Sequence, residues 1–97
     1  MVGQQFQARY GSDMVAEVLR ALNVEYAALN PGPSYHGLHD SIVNYLGNHD
    51  PQLILCCHEA IAVSLAHGYA KVAGTAMVAM AHDTVGLLNA ANAIYAA

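Results

Sequence analysis

From Gly11 onward, the apolar positions of this chain alternate between two kinds of spacing: stripes recurring every three or four residues, and short unbroken runs. Met14, Val15, Val18, Leu19 and Leu22 form the first stripe and predict an amphipathic helix whose apolar side faces inward. Ser12 is placed to cap it, and Glu17 and Arg20 fall on the opposite, solvated side. The short run Tyr26-Ala27-Ala28-Leu29 follows. Asn30-Pro31-Gly32-Pro33 stops it, since two prolines around a glycine exclude helix and mark a loop at a strand's carboxyl end. Leu38, Ile42, Tyr45 and Leu46 return to helical spacing, and Gly47-Asn48, with Pro51 soon after, ends that helix. Leu53-Ile54-Leu55-Cys56 is apolar without alternation, as in a strand covered on both faces. Ile61, Leu65, Tyr69 and Val72 mark a third helix that Gly74 terminates. Ala76 to Ala81 is a second unalternating run, and His82-Asp83-Thr84-Val85-Gly86 turns from it into a fourth helix carrying Leu88, Ala91 and Tyr95.

Helices and strands thus alternate, with a helix first and last. This order predicts an α/β fold of three layers, a doubly wound parallel sheet with helices on both faces. Residues 1–10 are polar and aperiodic, a flexible lead-in by this reading. The chain stops at Ala97 in mid-helix, and three strands are few for such a sheet. Residues 11–97 are therefore expected to be the front part of a larger, here incomplete, domain.

Composition narrows the function classes. Apolar residues make up 56% of the 97 and charged residues only 10%, against about 25% charged in an average soluble domain. A small domain has the most surface per residue, so this scarcity of charge predicts surface that other chain covers. No apolar run approaches the roughly 20 residues of a membrane-spanning helix. The start lacks the basic and apolar segments of a secretion signal. A net charge of −4, with three scattered basic residues, excludes a nucleic-acid surface, which needs clustered lysine and arginine. Cys56 and Cys57 are adjacent in an apparent strand and point to opposite faces, so they form no disulfide framework. A reduced, cytoplasmic setting follows.

Candidate chemistry gathers at the strand ends. Glu59 sits where the run ending in Cys56 turns into a helix, the edge at which open α/β sheets place their ligands. A carboxylate there also suits the helix dipole, which by itself accounts for many such glutamates. Desolvated among apolar neighbours, it would have a raised pKa and could share a proton with a heterocyclic nitrogen. His82 ends a strand on the same edge, and Gly86 after it lets backbone approach closely. A metal site is not expected. His58-Glu59-Ala60-Ile61-Ala62 lacks the second histidine of the zinc-protease pattern, Cys56-Cys57 has no two-residue gap, and His36 with His39 is a weak pair.

These segments resemble the pyrimidine-binding domain of thiamine-diphosphate enzymes, in its acetolactate synthase and benzoylformate decarboxylase branches. His58-Glu59-Ala60 through Ala66-His67-Gly68-Tyr69-Ala70-Lys71 is similar to the family's H-E-x(7)-D-G-Y-A-R segment, with His67 and Lys71 in place of Asp and Arg. Gly86-Leu87-Leu88-Asn89-Ala90 matches its G-x-x-N-A, and Asn30-Pro31-Gly32 its aminopyrimidine-pocket loop. The resemblance runs from about Gly11 to Ala97. It implies that Glu59 activates the cofactor, that Asn30, Pro31, Gly32, Gly86 and Asn89 help to bind it, and that His82 moves a proton on the reacting intermediate. It further implies a homo-oligomer, at least a dimer, acting on a 2-oxo acid. A separate diphosphate-binding domain, through an Asp and Asn motif absent here, would hold the magnesium. His82 favours decarboxylase or lyase chemistry, since the synthases carry threonine there. One departure stands out: the decarboxylase branch has a serine directly after Asn-Pro-Gly, whereas here Pro33 intervenes and Ser34 follows. Ser34 takes that place if the loop shifts by one residue. Two alternatives stay open on the sequence: a non-catalytic module that docks on a full-length relative, and an unrelated flavodoxin-like domain with another ligand at the same edge.

Overall fold

The computed structural model describes residues 7–97; most of the expected lead-in, residues 1–6, lies outside the described residues. Helix α1 (Gly11–Ala21) leads to strand β1 (Tyr26–Leu29). A single 3-10 turn (Pro33–Tyr35) then opens α2 (His36–Asp40), which runs on as a π-helical turn (Ser41–Tyr45). Strand β2 (Gln52–Leu55), α3 (Glu59–Ala73), β3 (Val78–Met80) and α4 (Val85–Ala96) complete the order, as the spacing predicted. The three strands are parallel in the order β2-β1-β3, with Ala28 opposite Ile54 on one side and Ala79 on the other.

β1 is the centre, and Ala27, Ala28 and Leu29 are fully buried. Alternation along it feeds two cores. On one face Ala27 and Leu29 join Ala16, Ile42, Leu46 and Met80, with Leu38, Tyr35, Tyr45 and Leu53 packed against them. On the other, Ala28 meets Ala62 and Met77, with Ala66, Tyr69 and Ile54 alongside. Helices therefore cover both faces, and each fully buried Leu or Ile contributes about 1.5–3 kcal/mol. α3 ends where Gly74 takes the left-handed conformation, φ +74°, which costs glycine nothing.

The faces of the helices differ from expectation. On α1 only Leu19 of the apolar stripe packs on the core, while Met14, Val15, Val18 and Leu22 are exposed. The inward face is instead Asp13, Ala16 and Arg20. Arg20 is half-buried rather than free in solvent: its guanidinium donates to the carbonyls of Leu46, His49 and Asp50, tying α1 to the loop before β2. Nor is Ser12 the cap. The helix begins at Gly11, and Asp13 accepts from the Arg9 and Tyr10 backbone N–H groups at 3.0 and 3.3 Å. On α3 the packed face is Ala62, Ala66 and Tyr69. Ile61, Leu65 and Val72 point away, Val72 being 91% exposed. Small side chains win the inner positions because they let a helix lie close on the sheet. β2, expected to be covered on both faces, is an edge strand whose Gln52 and Leu55 are exposed.

The hydrogen bond from Ser41 Oγ to Asp13, at 2.7 Å, and those from the helix start hold the Asp13 carboxyl below its usual range. A carboxyl lowered in the folded state stabilises the fold above its unfolded pKa, and that contribution is lost as pH falls through the folded value. Urea unfolding across about pH 2–7 should show this acid limb, and Asp13→Asn should flatten it while lowering stability at neutral pH. An unchanged slope in the variant would contradict the assignment.

Candidate functional site

The strand order places a topological switch point at the carboxyl ends of β1 and β3. From β1 the chain leaves toward β2 on one side, and returns as β3 on the other; ligands of open α/β sheets bind in the crevice so formed. Three segments meet there. The Asn30-Pro31-Gly32 loop leaves β1, the turn from His82 to Gly86 leaves β3, and the first turn of α3 brings in Glu59.

α3 starts where it does because His58 is extended (φ −157°, ψ 148°) and its Nδ1 accepts from the Ala60 N–H at 3.0 Å. That cap sets Glu59 as the first helical residue, with its carboxylate near the positive end of the helix dipole. Glu59 is only 5% exposed. Each of its oxygens receives one amide: Asn30 Nδ2 donates to Oε2 at 3.2 Å and Asn89 Nδ2 to Oε1 at 3.3 Å. Both bonds are long for N–H···O and leave lone pairs free. Among the described residues no lysine or arginine pairs with it.

Its protonation differs from expectation. Burial does push the Glu59 carboxyl up, as the apolar setting suggested. Its own backbone N–H outweighs that push, however, and with the amides of Asn89 and Asn30 and the nearby His58 brings it below the ordinary glutamate range. Hydrogen-bond donors to the charged form have beaten desolvation. Glu59 is thus an ionised carboxylate waiting for a donor.

His82 lies beside it. A Cβ on Gly86 would stand 3.1 Å from His82 Cβ, 3.2 Å from the Ala81 carbonyl carbon and 3.4 Å from Glu59 Oε2. One on Gly32 would stand 3.0 Å from His82 Cβ. Two glycines therefore clamp the histidine, one from each loop. Ser34 Oγ lies 2.6 Å from His82 Nδ1, so the loop does carry Ser34 to the histidine past the intervening Pro33.

Of the residues the sequence pointed to, the structure brings together Asn30, Gly32, Glu59, His82, Gly86 and Asn89. Pro31 is exposed; with Gly32, Pro33, His36 and His39 it lines a cavity of about 400 Å³. A cavity of about 600 Å³ beside Arg9, Tyr10 and Tyr45 holds none of the six. Two residues were missed. The Tyr35 hydroxyl donates to the Asn30 carbonyl and so fixes the loop that aims the Asn30 amide. Burial, and then the Glu59 carboxylate, push the Tyr35 phenol up. Asp83 touches the far nitrogen of His82. Tyr35 lies outside the quoted motifs, and Asp83, although inside the turn from His82 to Gly86, was not singled out in it. Among the described residues no three histidine, cysteine or acidic side chains form a metal-binding group, and no helix is long and apolar enough to cross a membrane.

Carbon-13 titration of the Glu59 carboxyl should place it below the ordinary glutamate range. Asn89→Ala and Asn30→Ala should each raise it, because each removes a donor to the charged form. A titration above the ordinary range in the wild type would overturn this account of the charge.

The crevice holds a buried, ionised carboxylate flanked by neutral amides and by backbone bare of side chains at two glycines. That donor set suits a protonated or protonatable heterocyclic nitrogen on a flat ring. No curated protein and no solved structure matches the chain. The family model described as the thiamine pyrophosphate enzyme, N-terminal TPP binding domain, matches residues 9–97, which takes in every residue of this crevice. The unrelated-domain alternative falls with that match: the chain belongs to the N-terminal TPP-binding domain family of thiamine pyrophosphate enzymes.

Proposed function

We propose that the chain binds the aminopyrimidine end of thiamine diphosphate at the switch point, as part of an enzyme acting on a 2-oxo acid. The observation that supports this most is Glu59: a buried, ionised carboxylate with no lysine or arginine paired with it among the described residues. Buried charges are paired as a rule, and a ring N–H of a bound cofactor would complete the pair. When bound, the cofactor supplies the electron sink for the bond broken next to the 2-oxo group.

Glu59 in this reading accepts a hydrogen bond from the ring nitrogen and passes a proton to and from it. Asn30 and Asn89 hold the carboxylate in place from both sides. Tyr35, through the Asn30 carbonyl, holds Asn30. Gly32 and Gly86 keep the crevice free of side chains, and Pro31 stiffens the loop between Asn30 and Gly32. His82 is the second catalytic residue, exchanging a proton with the reacting substrate. Its presence supports decarboxylase or lyase chemistry over carboligation of the acetolactate synthase kind.

The diphosphate and its magnesium are assigned to a second domain, contributed across a dimer. The reason is electrostatic: this edge offers a carboxylate and neutral amides, which do not attract phosphate, and magnesium sites use carboxylates together with substrate phosphates. Exposed Leu87, Leu88 and Tyr95 on α4 are the surface proposed to meet that partner. A reduced, cytoplasmic setting is proposed too, in keeping with two free cysteines.

Titration of the nitrogen-15-labelled chain with thiamine diphosphate tests the half-site. Weak binding is expected, with backbone signals of Asn30, Gly32, Glu59, Gly86 and Asn89 moving together. Glu59→Gln should weaken it about tenfold or more, because a hydrogen bond to a charged group is worth about 1.5–3 kcal/mol. Shifts confined to other surfaces, or equal affinity in the variant, would sink the proposal.

A further inference from the structure

Thr84, in the turn from β3 into α4, stands in backbone that threonine rarely adopts. Its φ of +48° and ψ of −80° fall outside the small left-handed region open to side chains. They lie near the positive-φ γ-turn, which is rare and strained. Threonine is also β-branched, and for such a residue a positive φ is an outlier. The other non-glycine residues with positive φ, among the described residues, are Asn23, Asn48 and Asp50, types that tolerate it. Those three precede β1 and β2, whereas Thr84 lies between His82 and Gly86 in the crevice. Its side chain offers no compensation, being exposed and making no capping bond to α4. The surroundings hold the turn instead. The Leu87 N–H donates to the His82 carbonyl at 3.0 Å, and the Leu88 N–H to the Thr84 carbonyl at 2.9 Å. Gly86 is buried close against His82 and the Ala81 carbonyl, and Asn89, further along α4, reaches Glu59 at 3.3 Å. Strained backbone persists only where its surroundings over-determine it, and it collects at functional sites.

We propose that Thr84 is a positioning residue: its strained turn aims α4 so that Gly86 backs His82 and Asn89 reaches Glu59, at a cost in stability. It acts through the backbone alone. The positive φ is required, and the threonine side chain is not. What the turn means for a cofactor rests on the reading of Glu59 given above; the strain and its release do not.

Scalar couplings in the full labelled chain read the φ of Thr84 directly, and a positive value is expected. Thr84→Gly should strengthen the fold, because glycine takes a positive φ freely. The ratio of folded to unfolded chain in urea should rise about threefold or more, the strain released less the entropy glycine adds to the unfolded chain. Thr75→Gly, at an exposed threonine without positive φ, should lower that ratio instead. In Thr84→Gly the Glu59 carboxyl should titrate as in the wild type, because the turn is kept. Thr84→Pro, whose ring forbids a positive φ, should withdraw the Asn89 donor, so that Glu59 titrates higher. A negative φ at Thr84, a Thr84→Gly chain no more stable than the wild type, or a folded Thr84→Pro chain with Glu59 unmoved would overturn the proposal. Where Thr84→Pro does not fold, the couplings and Thr84→Gly decide. In every case the thiamine diphosphate titration of the unaltered chain still decides the half-site on its own.

Discussion

Parallel pairing on both sides of β1 is the constraint from which the rest follows. A parallel neighbour cannot be reached by a hairpin, so the chain must cross over a face of the sheet each time. The segment holding α2 crosses to reach β2, and α3 crosses to reach β3, and the two cross on opposite faces. β1 is thereby sealed between two cores, and its carboxyl end becomes the one place where connections diverge. Asn30, His82 and the start of α3 are gathered there by topology, although 52 residues of sequence separate the first two.

Burial at that point explains why the chemistry is electrostatic. A carboxylate removed from water keeps its charge only if donors replace the water. Here the helix start and two asparagine amides do so, with His58 adding a nearby imidazole. None of these is a full cationic partner, so the charge is stabilised without being neutralised. A site left in that condition favours a ligand that brings a hydrogen on nitrogen. The two glycines make the complementary contribution, since a side chain at Gly32 or Gly86 would press tightly on His82.

The order of elements, the parallel sheet, and six residues of the crevice were legible in the sequence, because each rests on local signals: stripe spacing, proline and glycine stops, and motif segments at strand ends. The orientation of helices was not. On α1, apolar weight pointed Met14 and Val18 inward, yet Asp13 and Arg20 face in because each satisfies several backbone groups at once. On α3, bulky Ile61 and Leu65 drew the eye, whereas Ala62 and Ala66 pack because the helix lies close to β1. The charge state of Glu59 was misjudged for a related reason. Apolar neighbours are visible in a sequence, but the backbone N–H and the distant amides of Asn30 and Asn89 are brought to the carboxylate only by the fold. Tyr35 and Asp83 each meet the site through a single contact, which carries no spacing signal.

The central claim is that Glu59 exchanges a proton with the bound cofactor. Deuterium exchange at the thiazolium carbon of thiamine diphosphate, measured in the assembled enzyme carrying Glu59→Gln, tests it most directly. The amide keeps the shape of the side chain but cannot take up or return the proton, so exchange should slow by about a hundredfold or more, in line with loss of a general acid-base group. Exchange at the wild-type rate in a folded, cofactor-bound variant would contradict the account.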